Sequence, residues 1–208
     1  MAAVARPNFG AACCGRKWAR NKRHNWLGVN ANKTLWTNPR HVFEASTVVG
    51  AMKAMFPGSF DPIHLGHLDI ARQAASLFGE VVIVVMHNPE KPVGMFSVTD
   101  RVELAKAATR NIKGVSVNAA AGLAVDAATK FGANFIVKSV RNAADFDAEV
   151  QMADTNRVVG SVETVLLIAQ PQFSFISSRY VRDIAQNGGD VAALVPSVVV
   201  DAINKVKK

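Results

Sequence analysis

Residues 57–67 read Pro57-Gly58-Ser59-Phe60-Asp61-Pro62-Ile63-His64-Leu65-Gly66-His67. A short apolar run at 52–56 precedes this segment, and residues 65–78 after it repeat apolar side chains on one helical face. The segment therefore predicts a turn that joins a first strand to a first helix. Neither a Walker-type loop nor a GxGxxG fingerprint occurs anywhere in the chain.

The residue types in this turn favour a phosphate-binding site. Gly58 is expected to ease the turn, and Gly66 to let a ligand approach the backbone closely. His64 and His67 are three residues apart, so both side chains can lie on one side of a helix start. With the Ser59 hydroxyl and the positive end of the helix dipole, the two imidazoles suit a phosphate group. The alternatives are a pair of turn histidines and a metal site.

Strands and helices alternate along the rest of the chain, which predicts a Rossmann-like, five-stranded parallel sheet with helices on both faces. Ligands in such sheets bind beyond the carboxyl ends of the strands. The loops after the first, second, fourth and fifth strands should therefore carry function. The predicted strands are 52–56, 81–86, 115–118, 134–138 and 165–169, and the predicted helices are 65–78, 99–110, 123–131, 145–158, 178–186 and 196–206.

A second segment with candidate phosphate-binding groups follows the last strand. Residues 174–182, SFISSRYVR, open a helix for which Ser177 is the predicted N-cap. Ser178 adds a hydroxyl at the positive helix end, and Arg179 and Arg182 add charge. Taken alone, the segment is equally typical of a capped surface helix.

Two further loops carry cations. Lys138 and Arg141 follow the fourth strand, and Glu149 in the next helix could meet a ribose, a base or Arg141. Lys91, in the NPEK segment at 88–91, could reach an acceptor phosphate as a point charge. Each pattern would also fit ordinary solvated charges.

The positive charge of the chain is concentrated at its N-terminal end. Of 24 Lys and Arg and 16 Asp and Glu, residues 1–51 hold eight basic side chains and one acid, so residues 52–208 are nearly neutral. We therefore predict a basic extension at 1–51 and a catalytic domain at 52–208. The extension could be an organelle-targeting peptide, a nucleic-acid-binding arm, or an unstructured segment outside the working protein, which we favour.

Cysteine usage and hydropathy indicate a cytoplasmic protein. The two cysteines, Cys13 and Cys14, are adjacent and lie in the basic extension, so a disulfide framework, a cysteine nucleophile and a cysteine-based zinc site are not expected. No apolar run reaches the ~18 residues of a membrane span. We predict no membrane partner, and the neutral domain makes nucleic acid an unfavoured one.

Together these segments resemble the bacterial phosphopantetheine adenylyltransferases, a family of HxGH nucleotidyltransferases. The resemblance covers 53–208 and none of 1–51, and it rests on PGSFDPxHxGH, NPxK, ADFDAE, SFISS, and GGDV followed by LVP. It implies in-line transfer of the adenylyl group of ATP to 4′-phosphopantetheine, giving dephospho-coenzyme A and pyrophosphate. It also implies Mg²⁺ as cofactor and a homohexameric assembly.

The resemblance assigns roles residue by residue, with His67 as the catalytic residue and no metal ligand from the protein. The residues it places at the acceptor are Ser59, Lys91, Ala124 and Lys138. Those it places at ATP are Ser59, Phe60, His67, Ser139, Val140, Arg141, Glu149, Phe173, Ser174, Phe175, Ile176, Ser177, Ser178 and Arg179.

Four positions depart from the family pattern, which usually has Thr at His64, Gly at Ser139, Trp or Tyr at Phe173, and Ser at Arg179. His64 and Arg182 are more typical of the nicotinate mononucleotide adenylyltransferases, which are the alternative family. NPxK, ADFDAE and GGDV favour the phosphopantetheine branch. The alternative from another class is a non-catalytic nucleotide- or RNA-binding protein, which the nearly neutral domain disfavours.

We predict that residues 1–51 are dispensable, because they show no core-forming period and lie outside the resemblance. A chain that begins at Met52 should keep the circular dichroism spectrum and the turnover rate of the full chain. A large loss of solubility or activity on truncation would show that the extension belongs to the working enzyme.

Overall fold

A computed structural model describes residues 52–87 and 94–206, and the elements alternate as the sequence predicts. The strands are β1 (Lys53–Gly58), β2 (Glu80–His87), β3 (Val115–Ala121), β4 (Phe135–Val140) and β5 (Glu163–Ile168). The helices are α1 (Leu65–Phe78), α2 (Val98–Thr109), α3 (Ala124–Lys130), α4 (Ala143–Gly160), α5 (Ser178–Gln186) and α6 (Ser197–Val206).

The five strands form one parallel sheet in the order β3-β2-β1-β4-β5. β1 pairs with β2 from Lys53 opposite Glu80 to Gly58 opposite Val85. On its other edge β1 pairs with β4, with Ala54 opposite Phe135. The chain therefore winds outward in one direction from β1 to β3 and in the other from β4 to β5. Such a reversal opens a crevice at the carboxyl ends of β1 and β4.

Alternate side chains of the central strands enter two separate cores. Phe56 and Ile83 belong to the core that packs against α1, α2, α5 and α6. Met55 and Val82 belong to the second core, which includes residues of α3 and Ile136 of β4. Because successive strand residues point to opposite faces, near-continuous apolar strands must be covered on both sides. The predicted Rossmann-like fold with helices on both faces is confirmed.

The observed helices start within two residues of their predicted starts. α1 and α5 have the predicted bounds, and Ser177 caps α5 by accepting from the backbone N–H of Tyr180 at 3.3 Å. Ser97 likewise caps α2 through the N–H of Asp100 at 3.1 Å. β1, β3 and β4 extend two or three residues beyond their predicted C-terminal ends, because their ladders continue along neighbouring strands through Gly58, the alanines at 119–121 and Ser139.

The carboxylate of Asp61 ties the turn after β1 to the start of α2. It is 5 % exposed and accepts hydrogen bonds from the backbone N–H groups of Met95 and Phe96, both at 3.0 Å. The guanidinium of Arg101 lies 3.4 Å from it and also donates to the Phe96 carbonyl at 2.8 Å. A Cβ at Gly94 would overlap this carboxylate, so only glycine fits there.

No helix in the described ranges 52–87 and 94–206 is long and apolar enough to cross a membrane. The predicted NPEK loop with Lys91 and the predicted extension at 1–51 lie outside the described residues. The domain boundary after residue 51 therefore stays a prediction.

Removing the Asp61 carboxylate should strongly destabilise the fold. Asp61→Ala would leave Arg101, which is 8 % exposed, without its counter-charge, and two backbone N–H groups without acceptors. Breaking a buried ion pair from one side costs about 3 kcal/mol or more. Urea denaturation should show a loss of this size in the free energy of unfolding.

The matched control is Glu103→Ala. It breaks a solvent-exposed ion pair within α2, the helix that also contains Arg101. Glu103 contacts Lys106 at 2.9 Å, but both side chains are more than half exposed. Such pairs contribute about 0.5 kcal/mol or less. Equal losses for the two variants would contradict the role assigned to Asp61.

Candidate active site

Two cavities lie at the carboxyl ends of the strands, where the fold predicts a ligand. The larger cavity has a volume of about 1050 Å³ and includes Ser59, Ala124 and Lys138 in its wall. The smaller cavity has a volume of about 200 Å³ and is lined by the start of α1 and the start of α5. The turn at 57–67 contributes to both walls, so it lies between the two cavities.

His64 and His67 cap the start of α1 reciprocally. His64 Nδ1 accepts the backbone N–H of His67 at 3.3 Å, and His67 Nδ1 accepts that of His64 at 3.2 Å. The two rings stack with their centroids 3.6 Å apart and their planes 20° from parallel. This is the geometry of a capping box, with imidazoles in place of the usual hydroxyl and carboxamide.

Both imidazoles are neutral at physiological pH. Burial, and then the charge of Arg141, lower the pKa of His64 from 6.5 to about 3. Burial is also the main cause that lowers the pKa of His67 well below 6.5, and His64 and Arg141 lower it further. Because each Nδ1 already accepts a backbone N–H, the two rings contribute hydrogen-bond donors to the smaller cavity, and Arg141 contributes the positive charge.

The structure corrects the predicted role of Gly58 and shows which protein atoms surround Gly66. Gly58 is the last residue of β1, and the left-handed residue of the turn is Phe60, with a φ of 45°. A Cβ at Gly58 would lie 3.1 Å from the Phe60 ring, so glycine makes room for that ring. A Cβ at Gly66 would lie 3.1 Å from the His64 ring and 3.3 Å from the Phe173 carbonyl. Gly66 therefore makes room for protein atoms, and because it also lines the smaller cavity, the expected close approach of a ligand stays a prediction.

α5 is anchored to the turn at 57–67. The hydroxyl of Ser178 donates to the Pro62 carbonyl at 2.9 Å, and the guanidinium of Arg182 donates to the Asp61 carbonyl. These bonds join segments that are more than 100 residues apart in the sequence. They bring the two predicted phosphate-binding segments to one place, which was the main expectation from the sequence.

The charges after β4 pair in a way that the sequence did not reveal. Lys138 contacts Glu149 at 3.1 Å, with about a quarter of each side chain exposed. Arg141 contacts Asp145 at 2.8 Å and donates to the Ile176 carbonyl at 3.3 Å. The suggested contact between Glu149 and Arg141 is therefore replaced by two other pairs. Both cations still line a cavity, Lys138 the larger and Arg141 the smaller.

The structure brings most of the predicted site residues to these two walls, although their roles stay predictions. Those on the smaller cavity are His67, Ser139, Arg141, Phe173, Ile176, Ser177 and Ser178. Those on the larger cavity are Ser59, Ala124 and Lys138. Those on neither wall are Phe60, Val140, Glu149, Ser174, Phe175 and Arg179. Lys91 lies outside the described residues.

Phe60 and Phe175 are two of the six predicted residues that line neither cavity, and their burial differs. The Phe60 side chain is 1 % exposed, with its ring centroid 4.9 Å from that of His67, so it supports the histidine from behind. Phe175 is 65 % exposed, on the surface ahead of α5.

The larger cavity also has walls that sequence reasoning missed. They include Met86 and His87 at the end of β2, Leu123 before α3, and Met152 and Asn156 of α4. Met152 and Asn156 are four residues apart, so they share one helical face, and Asn156 is the only residue that α4 buries. The four-residue spacing of Met152 and Asn156 was the sequence signal for this part of the wall. The same spacing occurs in any amphipathic helix, so it does not by itself indicate a binding site.

The described residues could hold a metal ion only if a bound substrate supplied most of the atoms that coordinate it. Among residues 52–87 and 94–206, no group of three or more His, Cys, Asp or Glu side chains could hold a metal ion. Asp61, which lines the larger cavity, is already paired with Arg101, and Glu149 is paired with Lys138. A divalent cation carried on phosphate oxygens is compatible with this donor set.

Comparison with known proteins shows the family. The model of the cytidylyltransferase-like family matches residues 55–184. A phosphopantetheine adenylyltransferase of Corynebacterium efficiens is 42 % identical over 154 residues, which span 74 % of this chain and 97 % of the relative. The corresponding protein of Cutibacterium acnes is 46 % identical over 154 residues, which span 74 % of this chain and 98 % of the relative.

A solved structure agrees with the fold. It is described as a nicotinate-nucleotide adenylyltransferase of Vibrio parahaemolyticus, and it covers 76 % of this chain and 100 % of its own with a TM-score of 0.52. At 14 % identity this likeness concerns the fold alone. The sequence relatives are far closer, and with the family match they show that the chain belongs to the phosphopantetheine adenylyltransferases, within the cytidylyltransferase-like family.

Proposed function

We propose that this protein transfers the adenylyl group of ATP to 4′-phosphopantetheine, forming dephospho-coenzyme A and pyrophosphate on the route to coenzyme A. The observation that carries the proposal is the turn at 57–67, which places Ser59 on the larger cavity and His64 and His67 on the smaller one. A group transferred between two ligands must lie where their sites meet, and this turn is that place.

The smaller cavity suits the triphosphate of ATP. It combines the N-terminal ends of α1 and α5, the hydroxyls of Ser177 and Ser178, and the guanidinium of Arg141. Helix N-termini and guanidinium groups are the usual protein partners of phosphate. The adenosine would extend past Phe173 and Ile176, in keeping with the contacts that the resemblance implies.

The larger cavity suits a long, mostly apolar acceptor with a charged end. Its walls include Met86, Leu123 and Met152, with the amide of Asn156 among them. Ser59 and Lys138 also line it, and Lys138 brings an ammonium group. A pantetheine arm carries amides and methylene groups, and its phosphate would lie near the cation. Lys91 stays a further predicted contact of that phosphate.

The proposed reaction needs no strong general base. The acceptor phosphate is ionised at neutral pH, and one of its oxygens attacks the α-phosphorus of ATP in line while the bond to pyrophosphate breaks. Catalysis then depends on alignment and on stabilising the negative charge that spreads over the phosphates. His67 would donate a hydrogen bond to the crowded α-phosphate, and Arg141 and Lys138 would supply positive charge on either side.

Magnesium, assembly and location belong to the proposal as well. Mg²⁺ would arrive on the triphosphate and offset part of its charge. A homohexamer, which the resemblance implies, is supported by apolar side chains exposed on α4, including Phe146, Val158 and Val159, of which Val158 is 85 % exposed. The cytoplasmic location rests on cysteine usage and stays a prediction.

The decisive experiment measures pyrophosphate release from ATP with a panel of acceptors. We expect turnover with 4′-phosphopantetheine, and dephospho-coenzyme A as the product identified by mass spectrometry. His64 and Arg182 are the residues that favour nicotinate mononucleotide as the acceptor. Turnover with nicotinate mononucleotide and none with phosphopantetheine would show that the alternative function is the right one. No turnover with either acceptor would favour a non-catalytic binding protein.

His67→Ala should lower kcat far more than it weakens ATP binding, because its hydrogen bond is expected to strengthen in the transition state. Losing one such donor typically costs 10²–10³-fold in kcat. His64→Thr is the control, since Thr is an ordinary N-cap residue and can still accept the N–H of His67. The measurements are the steady-state rates and the ATP affinities of both variants. Normal turnover of His67→Ala, or greater damage from His64→Thr, would contradict the assignment.

A further inference from the structure

We propose that His64 and His67 serve as a pair of neutral Nε2–H donors whose tautomers are fixed by the backbone at the start of α1. The inference rests on the proposed function for its ligand, a phosphate group of the nucleotide. It goes beyond that function by stating which nitrogen of each ring carries the proton, and by excluding an imidazolium as the catalytic form.

The tautomers follow from the direction of two hydrogen bonds. A backbone N–H can only donate, so the nitrogen that receives it must be unprotonated. His64 Nδ1 receives the N–H of His67, and His67 Nδ1 receives the N–H of His64. A neutral imidazole has one donor and one acceptor nitrogen, so each ring carries its proton on Nε2. Protonating either Nδ1 would break the bond and leave an N–H facing an N–H.

The stacking of the rings supports the same protonation state. Their centroids are 3.6 Å apart, a separation at which two imidazolium ions would repel each other strongly. The neighbours contributed by β1 and the turn after it are the apolar rings of Phe56 and Phe60. No carboxylate among the described residues lines the smaller cavity. The charged side chain in its wall is that of Arg141, whose positive charge also disfavours protonation of the two histidines.

This arrangement assigns separate tasks to the groups of the cavity. Arg141 supplies the positive charge of the cavity, while the histidines supply directed hydrogen bonds that do not switch off as pH rises through the ordinary range of histidine. His67 is locked by the backbone N–H of residue 64, which is present whatever the side chain at that position. The lock on His67 therefore does not depend on the imidazole of His64.

The test is solid-state ¹⁵N NMR of the full-length protein with ring-labelled histidine, between about pH 5 and 8, where an ordinary histidine titrates. Spectra of His64→Thr and His67→Gln identify the two residues among the five histidines of the chain. We expect each to show an unprotonated Nδ1 and a protonated Nε2 that do not change over this range. With a non-hydrolysable ATP analogue bound, the Nε2 signals should move and the Nδ1 signals should not.

Protonated Nδ1 in either residue, or two protonated nitrogens in the free or the nucleotide-bound protein, would overturn the proposal. This result does not depend on the acceptor. A failure of phosphopantetheine turnover with the expected spectra would reject the proposed function and leave the tautomers standing.

Kinetics of two amide variants give an independent check. Gln at position 67 is the usual partner in a capping box, so its oxygen can accept the His64 N–H while its amide nitrogen lies near the place of Nε2. The amide of Asn is too short and lies near Nδ1. His67→Gln should therefore keep kcat within about tenfold of the native enzyme, and His67→Asn should fall by the 10²–10³-fold expected for a lost donor. Equal losses for the two variants would contradict a neutral Nε2–H donor.

Discussion

The carboxylate of Asp61 and the carbonyl groups beside it hold together three segments that lie far apart in the sequence. The side chain accepts the N–H groups of Met95 and Phe96 and faces Arg101, which fixes the chain entering α2. The carbonyl groups of Asp61 and Pro62 accept from Arg182 and Ser178 of α5. A turn exposed at the end of a strand would ordinarily be free to move. Here both its side chain and its backbone are fixed, and the walls of both cavities depend on its position.

Fixed polar groups suit the electrostatics of phosphoryl chemistry. Preorganised donors cost no reorganisation when negative charge develops on a reacting phosphate. The reciprocal caps hold His64 and His67, while the Ile176 carbonyl and Asp145 hold Arg141. The ion pair between Lys138 and Glu149 keeps one cation in place at the larger cavity. Each of these groups has a partner within the protein, so an incoming nucleotide meets a cavity whose donors are already oriented.

The parts of this structure that could be predicted from sequence are those governed by neighbours along the chain. Ser177 caps α5 through a residue three positions away, and the bounds of that helix were right. The alternation of strands and helices likewise predicted the parallel sheet with helices on both faces. The parts that could not be predicted depend on distant partners. Asp61 finds its partners 34 or more residues away, and Glu149 chooses Lys138 over Arg141 for reasons that only the packing of α4 reveals. The spacing of His64 and His67 matches a capping box, but histidine is not the residue usually found at either position.

The bonds from α5 to Asp61 and Pro62 also bear on how the molecule is made. A ribosome releases the chain from its N-terminus, so β1 and the turn emerge more than 100 residues before Ser178 and Arg182 are synthesised. During that interval the carbonyl groups of the turn have no α5 to bind them, and the smaller cavity lacks one of its two helix ends. The smaller cavity is thus among the last features of the domain to form. A nascent chain that stalls before residue 178 would have all five strands of the sheet and no complete site.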